Sequence, residues 1–328
     1  MMTAARPQIV TLTPLKNDAW ILPRFLEVTS RFSDVIIVAD EGSTDGGLEI
    51  LRRFPKVIVI DNSRGDYDEA ARQNLLIAKA REAVPLPRIL VALDADEILA
   101  ADALDSPGWQ AMLASPPGTS IIVEKPNLHL TPQQCERRPL DFPGAFVDDG
   151  VSEHRALRIH SRRLPAPEGG PRLVLPDVKI LHYAHVRPEA QRAKMRMYAV
   201  LENIMGTKSL YWRRRYYSSN RVLRPMGPVE PTPAEWFRGW EEAGIDMTTI
   251  EDVQPYWQDV ATLERLLEYG SRRFWFDDIW QKDWNALLRQ LKRGGHVSPP
   301  PWPLRATLDA MQRVVDGIAD LRRRVRQS

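Results

Sequence analysis

The sequence predicts an α/β protein built on a mostly parallel sheet flanked by helices, with a helical region toward its C-terminal end. Three observations carry that expectation. Short β-branched runs alternate with helical stretches through residues 1–130, the pattern of strands joined by single right-handed crossover helices. The run Ile89 to Leu93 is apolar throughout, as a strand buried on both faces must be. The acids Asp40, Asp61, Asp94 and Asp96 all fall where strands end, the edge at which parallel sheets gather ligands.

Taken in order, Gln8 to Leu12 is a first strand stopped by Thr13-Pro14, and Asn17 or Asp18 can cap a helix over Ala19 to Phe32. A second strand, Asp34 to Ala39, runs into Asp40-Glu41-Gly42-Ser43-Thr44-Asp45-Gly46-Gly47. Its glycines permit a tight turn with backbone N–H groups facing a ligand, and a helix over Leu48 to Phe54 follows. Val57 to Ile60 is the third strand, and Asp68 to Ala83 has helical spacing of Ala, Leu and Ile. The fourth strand lies in RILVALDADEIL, residues 88–99, and delivers Asp94, Asp96 and Glu97 to a rim. On a strand, Asp94 and Asp96 share a face, close enough to hold one divalent cation against a diphosphate. Carboxylates crowded at one edge repel unless something cationic joins them, and a metal nucleotide does so.

Ser120 to Lys125 is a further strand, and Pro126 to Phe146 is a polar, proline-punctuated passage. Asp148 to Arg155 leads into a strand over Ala156 to Ile159 and then Arg162-Arg163. Pro165 to Pro176 reads as a loop before the strand Val178 to Leu181. Beyond it, His182 and His185 stand within four residues of each other, downstream of D-x-D, a spacing that points to metal ligation with His182 first and His185 as the alternative. Glu189 to Met205 is a helix, and Lys208 to Tyr217 interleaves basic and aromatic side chains. Such interleaving suits a diphosphate, a stacked sugar or an anionic lipid surface; without a nucleic-acid-binding motif elsewhere, no nucleic-acid partner is expected. Arg224 to Pro233 breaks the helical periodicity and marks a boundary. Trp236, Trp240, Trp257, Trp275, Trp280 and Trp284 follow in helical segments, and a last helix spans Leu304 to Val325.

The chain of 328 residues is 43% hydrophobic and 27% charged with a net charge of +2, so it is globular and lacks the whole-molecule basicity of a nucleic-acid binder. One cysteine, Cys135, excludes an internal disulfide framework and suits a reducing compartment. No basic segment precedes an apolar run at the N-terminus, and no apolar stretch approaches the ~20 residues of a membrane span. A cytoplasmic protein is expected, with peripheral contact at the inner membrane as a further expectation.

The pieces VTLTPLKND, IIVADEGSTDGG, AARQNLLIA and VALDADEIL, in that order, make residues 8–130 resemble the nucleotide-sugar-binding half of the GT-A-fold glycosyltransferases of the family 2 type. The DADE form and the later LRIHSRR are most similar to bacterial members that build surface polysaccharide or lipopolysaccharide. The resemblance implies a GT-A-like domain over 1–215, its nucleotide-sugar half 1–130 and acceptor half 131–215, followed by a Trp-rich accessory region over 216–328. It further implies a nucleotide-sugar donor, UDP-linked, and a glycan or lipid-linked acceptor. Thr13 and Asp40 would contact the nucleotide sugar, Arg72 would lie near base or diphosphate, Asp94 would face the ribose or sugar, and Asp96 would hold Mn²⁺ or Mg²⁺ with His182 or His185. In inverting transfer of a hexose a carboxylate takes the acceptor's proton; Glu153 lies about where that base belongs, with Asp149 in reserve. The chain departs from the family pattern at Glu41, where a second aspartate is usual.

Two other readings stay open. One is a sugar-nucleotide pyrophosphorylase, against which counts TPLKND where such enzymes need a glycine-rich basic loop; a dinucleotide oxidoreductase is set aside because no G-x-G-x-x-G follows Gln8 to Leu12. A non-catalytic nucleotide- or glycan-binding protein on the same fold remains the alternative from a different class.

Overall fold

The computed structural model describes residues 6–63, 68–155, 162–218 and 223–327, with side chains to residue 318. The strand expected over Ala156 to Ile159 lies outside the described residues. The chain forms two compact units: Met1–Val186 with Pro225–Glu251, and Arg187–Arg224 with Asp252–Ser328.

The first unit begins β1 (Gln8–Leu15), α1 (Leu22–Phe32), β2 (Val35–Asp40), α2 (Gly47–Leu51), β3 (Val57–Asp61), α3 (Glu69–Ala83) and β4 (Arg88–Ala92). These four strands are parallel in the order β3-β2-β1-β4. Period-two alternation sorts their side chains cleanly. Ile9, Leu15, Ile36, Val38, Ile89 and Val91 belong to one core with Phe25 and Leu26 of α1. Val10, Leu12, Ile37, Ala39, Leu90 and Ala92 belong to the other, with Leu76 and Ile77 of α3. Asp68 caps α3, accepting from the Ala71 N–H at 2.9 Å.

The sheet continues through β5 (Glu97–Leu99), α4 (Pro107–Leu113), β6 (Ser120–Glu124), β7 (Asn127–Leu128), β8 (Gln134–Glu136), β9 (Phe142–Asp148) and β10 (Arg172–His182). β9 is antiparallel between β4 and β6, and β10 runs parallel to β6 and antiparallel to β5. The polar passage after residue 126 thus contains three strands that its proline punctuation conceals. β10 also starts earlier than expected: Arg172 to Leu175 pair with β6, and Pro176, which has no N–H to give the ladder, sits where the register shifts.

The second unit holds α5 (Pro188–Met205) and α6 (Leu210–Tyr216). The chain then returns to the first unit as β11 (Val229–Pro231), paired with β8, and α7 (Glu235–Glu242). Trp236 and Trp240 of α7 are buried in the first unit's core, and the Trp240 indole donates to the Leu99 carbonyl at 2.8 Å. The segment 225–251 that reads as the start of an accessory region is therefore part of the sheet domain. The second unit closes with α8 (Trp257–Glu268), α9 (Trp284–Gln290) and α10 (Trp302–Gln327). Its buried tryptophans, Trp280 and Trp284, serve core packing. Arg196 on α5 and Asp259 on α8 form a buried bidentate pair at 2.8 and 2.9 Å. No helix of the described residues is long and apolar enough to cross a membrane.

Candidate active site

β4 ends at Ala92, and the next residues turn: the Glu97 N–H donates to the Asp94 carbonyl at 2.9 Å. Asp94 and Asp96 accordingly sit in a tight turn and do not project from a strand, so the face-sharing expected from alternation does not hold. The turn is fixed from both sides. The Asp94 N–H donates to Glu97 Oε2 at 3.0 Å, and the Tyr183 N–H donates to the Asp96 carbonyl at 2.8 Å.

Glu97 is fully buried and is the electrostatic anchor of this turn. Burial alone would raise its carboxyl, but Arg163 and Lys125 hold it well below the usual carboxylate range. The Arg163 guanidinium bridges Glu97 and Asp94, and Lys125 Nζ meets Glu97 Oε1 at 2.7 Å. The cation that joins Asp94 and Glu97 is thus this chain's own arginine, a role the expectation gave to a metal nucleotide. Gln73 on α3 donates to the Arg163 carbonyl at 3.0 Å, and Phe142 lies beneath both Arg163 and Lys125. Sequence reasoning missed the role of Arg163; its signal was the last arginine of LRIHSRR.

Pairing of β5 with β10 sets His182 directly opposite Glu97, beside the turn. His182 Nδ1 meets Asn127 Oδ1 at 2.8 Å, and Asn127 Nδ2 donates to Glu136 at 3.5 Å, which orients the amide and makes Nδ1 the protonated nitrogen. Nε2 is then 3.9 Å from Asp96 Oδ2. Among the described residues no group of three His, Cys, Asp or Glu side chains is placed to hold a metal. One carboxylate and one imidazole nonetheless fit an ion such as Mn²⁺, whose remaining positions diphosphate oxygens would fill. His185 lies at 6.0 Å from the His182 ring, edge to face.

The other candidates are more dispersed. Asp40, at the end of β2, accepts from the Gly42 and Ser43 N–H groups at 3.1 and 3.2 Å, and Asn17 Oδ1 takes that of Thr44 at 2.7 Å. These loop amides, expected to face a ligand, instead bind the chain's own side chains. Gly42 adopts φ +81°, which the turn requires. Asp61 accepts from the Ser63 N–H and belongs to its own polar loop. Arg72 pairs with Glu41 at 2.8 Å, so the residue that departs from the family pattern is the one that holds this arginine. Thr13 is wholly buried in β1 opposite Val38.

Among the described residues no contact brings Asp149 or Glu153 to the turn. β9 is antiparallel to β4, so Asp148 lies opposite Arg88, where β4 begins, and Asp149 follows at the amino edge of the sheet. Asp94 is beyond the other end, past the whole of β4, whose 5 residues span about 16 Å at ~3.3 Å per residue. Asp149 is occupied by its own turn, accepting from the Val151 and Ser152 N–H groups and the Ser152 hydroxyl. Burial would raise its carboxyl; the bonds from Ser152 hold it lower. Glu153 is exposed, between Ser152, whose carbonyl binds Arg81, and His154, which binds Asn74.

Four parallel strands in the order β3-β2-β1-β4 within the larger sheet, with acidic turns at their carboxyl edge, make an α/β domain of the kind that binds ligands beyond its strand ends. More particularly, residues 12–116 match the family model for Glycosyl transferase family 2, a match that supports a GT-A-like fold and glycosyl transfer from a nucleotide sugar. Arg163 and His182 lie beyond the matched residues. No curated protein matches the chain. Among solved structures it is similar to 4-diphosphocytidyl-2C-methyl-D-erythritol synthase, at 16% identity over 44% of this chain and 76% of that one, with a TM-score of 0.32. It is also similar to glucosyl-3-phosphoglycerate synthase from Mycobacterium tuberculosis in complex with Mn²⁺, uridine diphosphate and glucosyl-3-phosphoglycerate, at 20% identity over 38% and 45%, with a TM-score of 0.27.

Proposed function

We propose that the protein transfers a hexose from a UDP-linked sugar to a glycan or lipid-linked acceptor of a bacterial surface polysaccharide, with inversion and with Mn²⁺ or Mg²⁺ as cofactor. The observation that carries this reading is the Asp96–His182 pair: a carboxylate 3.9 Å from the Nε2 of an imidazole whose other nitrogen meets Asn127, at the carboxyl edge of the parallel strands. A bound divalent ion supplies neutralisation of the charge that grows on the leaving diphosphate. Asp96 and His182 would hold it. Asp94, neutralised by Arg163, would face the sugar side, and Arg72 the base or diphosphate. Cytoplasmic residence and contact with the inner membrane belong to the same proposal.

A second reading, nucleotide-sugar binding without transfer, is favoured by one observation. Asp149 is consumed by its own turn, leaving exposed Glu153 as the remaining base candidate from the acceptor half. Turnover separates the two. Release of UDP from UDP-glucose, followed with and without Mn²⁺, should be metal-dependent in the natural protein and absent in Asp96→Ala. Tight UDP binding with no release from any UDP-hexose would establish the second reading.

A further inference from the structure

The helical unit contains a cavity of about 260 Å³ lined by Glu189, Arg192, Arg196, Gln254, Tyr256, Gln281 and Lys282. It is smaller than the roughly 300–1,000 Å³ of sites for drug-sized ligands, which suits a single sugar-sized molecule. Its lining carries three cations, Arg192, Arg196 and Lys282, against the one carboxylate of Glu189, with Asp252 and Asp278 bonded to Tyr256 and Gln281 behind it. Asp259, fully buried behind the wall, is shared by Arg196 and Lys282, the latter at 3.3 Å, so one carboxylate serves two cations. Arg192 pairs with Glu189 and adds no net charge. Arg196 is itself buried, and its Nε and Nη2 are taken by Asp259. Among the described residues its bonds run from Nε and Nη2, and Nη1 is not one of the buried atoms left without a partner, so its donors are open to the cavity that Arg196 lines. A guanidinium with donors open to a cavity can take an anion through charge-assisted hydrogen bonds.

From this arrangement we infer that the helical unit binds a small hydroxylated anion, a phosphorylated monosaccharide unit, in this cavity. Arg196 Nη1 and Lys282 take the phosphate, and the Gln254 amide and the amide oxygen of Gln281, whose nitrogen donates to Asp278, face the hydroxyls. Tyr256 forms an uncharged wall: its hydroxyl donates to Asp252, at 2.9 Å from Oδ2, and burial with that bond raises its pKa. All the residues belong to one unit, so the inference stands independently of the transfer reading.

The test is calorimetric titration of the full chain with glucose 6-phosphate, glucose and inorganic phosphate. Saturable binding of glucose 6-phosphate, competed by inorganic phosphate and absent for glucose, is expected. Lys282→Ala should weaken it at least tenfold. Arg196→Lys, which keeps a cation on Asp259 and removes the Nη1 donors, should do the same, and if that variant fails to fold, Lys282→Ala carries the test. Asp96→Ala should bind as the natural protein does. Co-sedimentation with phosphatidylcholine vesicles containing phosphatidic acid, if lost in Lys282→Ala, would assign the phosphate to a lipid headgroup. The inference is overturned if glucose 6-phosphate and vesicles both fail to bind, if binding survives Lys282→Ala unchanged, or if Asp96→Ala abolishes it, since the anion would then occupy the sheet domain.

Discussion

Arg163 joins two acids that would otherwise destabilise the turn after β4. Removing it leaves Glu97 fully buried with Lys125 as its remaining cation, and breaking one partner out of a buried pair costs about 3–5 kcal/mol. Because Arg163 is itself partly exposed, Arg163→Ala is expected at the lower end, about 3 kcal/mol in urea unfolding, with Arg163→Lys retaining part of it. Asn127 acts more locally. Asn127→Ala releases the His182 ring and should weaken Mn²⁺-dependent UDP binding by roughly 10-fold to 100-fold, the usual cost of losing the partner that orients a metal-ligating histidine, with little change in stability. A variant that binds as the natural protein does would show that His182 needs no such orientation.

At the scale of elements, β4 and β9 are tied at the amino edge by Asp148, which Arg81 and Arg88 both bind. Burial would raise the Asp148 carboxyl, but these guanidiniums hold it below the ordinary carboxylate range. A carboxyl whose folded pKa is depressed stabilises the fold above its unfolded value, near 3.9, and that stability is lost as pH falls through the lower folded value. Urea unfolding between about pH 5 and pH 3 should therefore show an acid limb that is flatter in Asp148→Asn than in the natural protein. Equal slopes would mean that the pair contributes nothing to acid sensitivity. The elements of this half were legible because each strand is an uninterrupted apolar run: β1 to β4 and α3 follow their expected spans within a few residues. β7, β8 and β9 were not, since two or three residues of strand between prolines carry no period to read. Side-chain direction at the site was equally hidden. Alternation assumes that a strand continues, and β4 stops two residues before Asp94.

For the molecule as a whole, the path of the chain matters more than its composition. Helical periodicity shows that α5 and α7 are amphipathic, yet it does not say which core each one buries, and the two helices go to different units. The Arg196–Asp259 pair takes α5 to α8, while Trp236 and Trp240 return α7 to the sheet. A chain cut at residue 215, at the boundary the sequence suggests, removes β11 and α7 and opens a hole where two buried tryptophans stood. Losing a buried Trp side chain costs about 3–5 kcal/mol, and two exceed the stability margin of many domains. Such a chain is expected to lack near-ultraviolet circular dichroism and cooperative unfolding; a cooperative transition would show that the sheet domain does not depend on the returning segment.

The central claim, that the turn after β4 binds a metal nucleotide through Asp96, is tested most directly by calorimetric titration with UDP in the presence and absence of Mn²⁺, for the natural protein and for Asp96→Ala. Binding that requires Mn²⁺ and disappears in a folded Asp96→Ala protein is the predicted result. Binding that is equally strong without Mn²⁺, or that survives in Asp96→Ala, would contradict it.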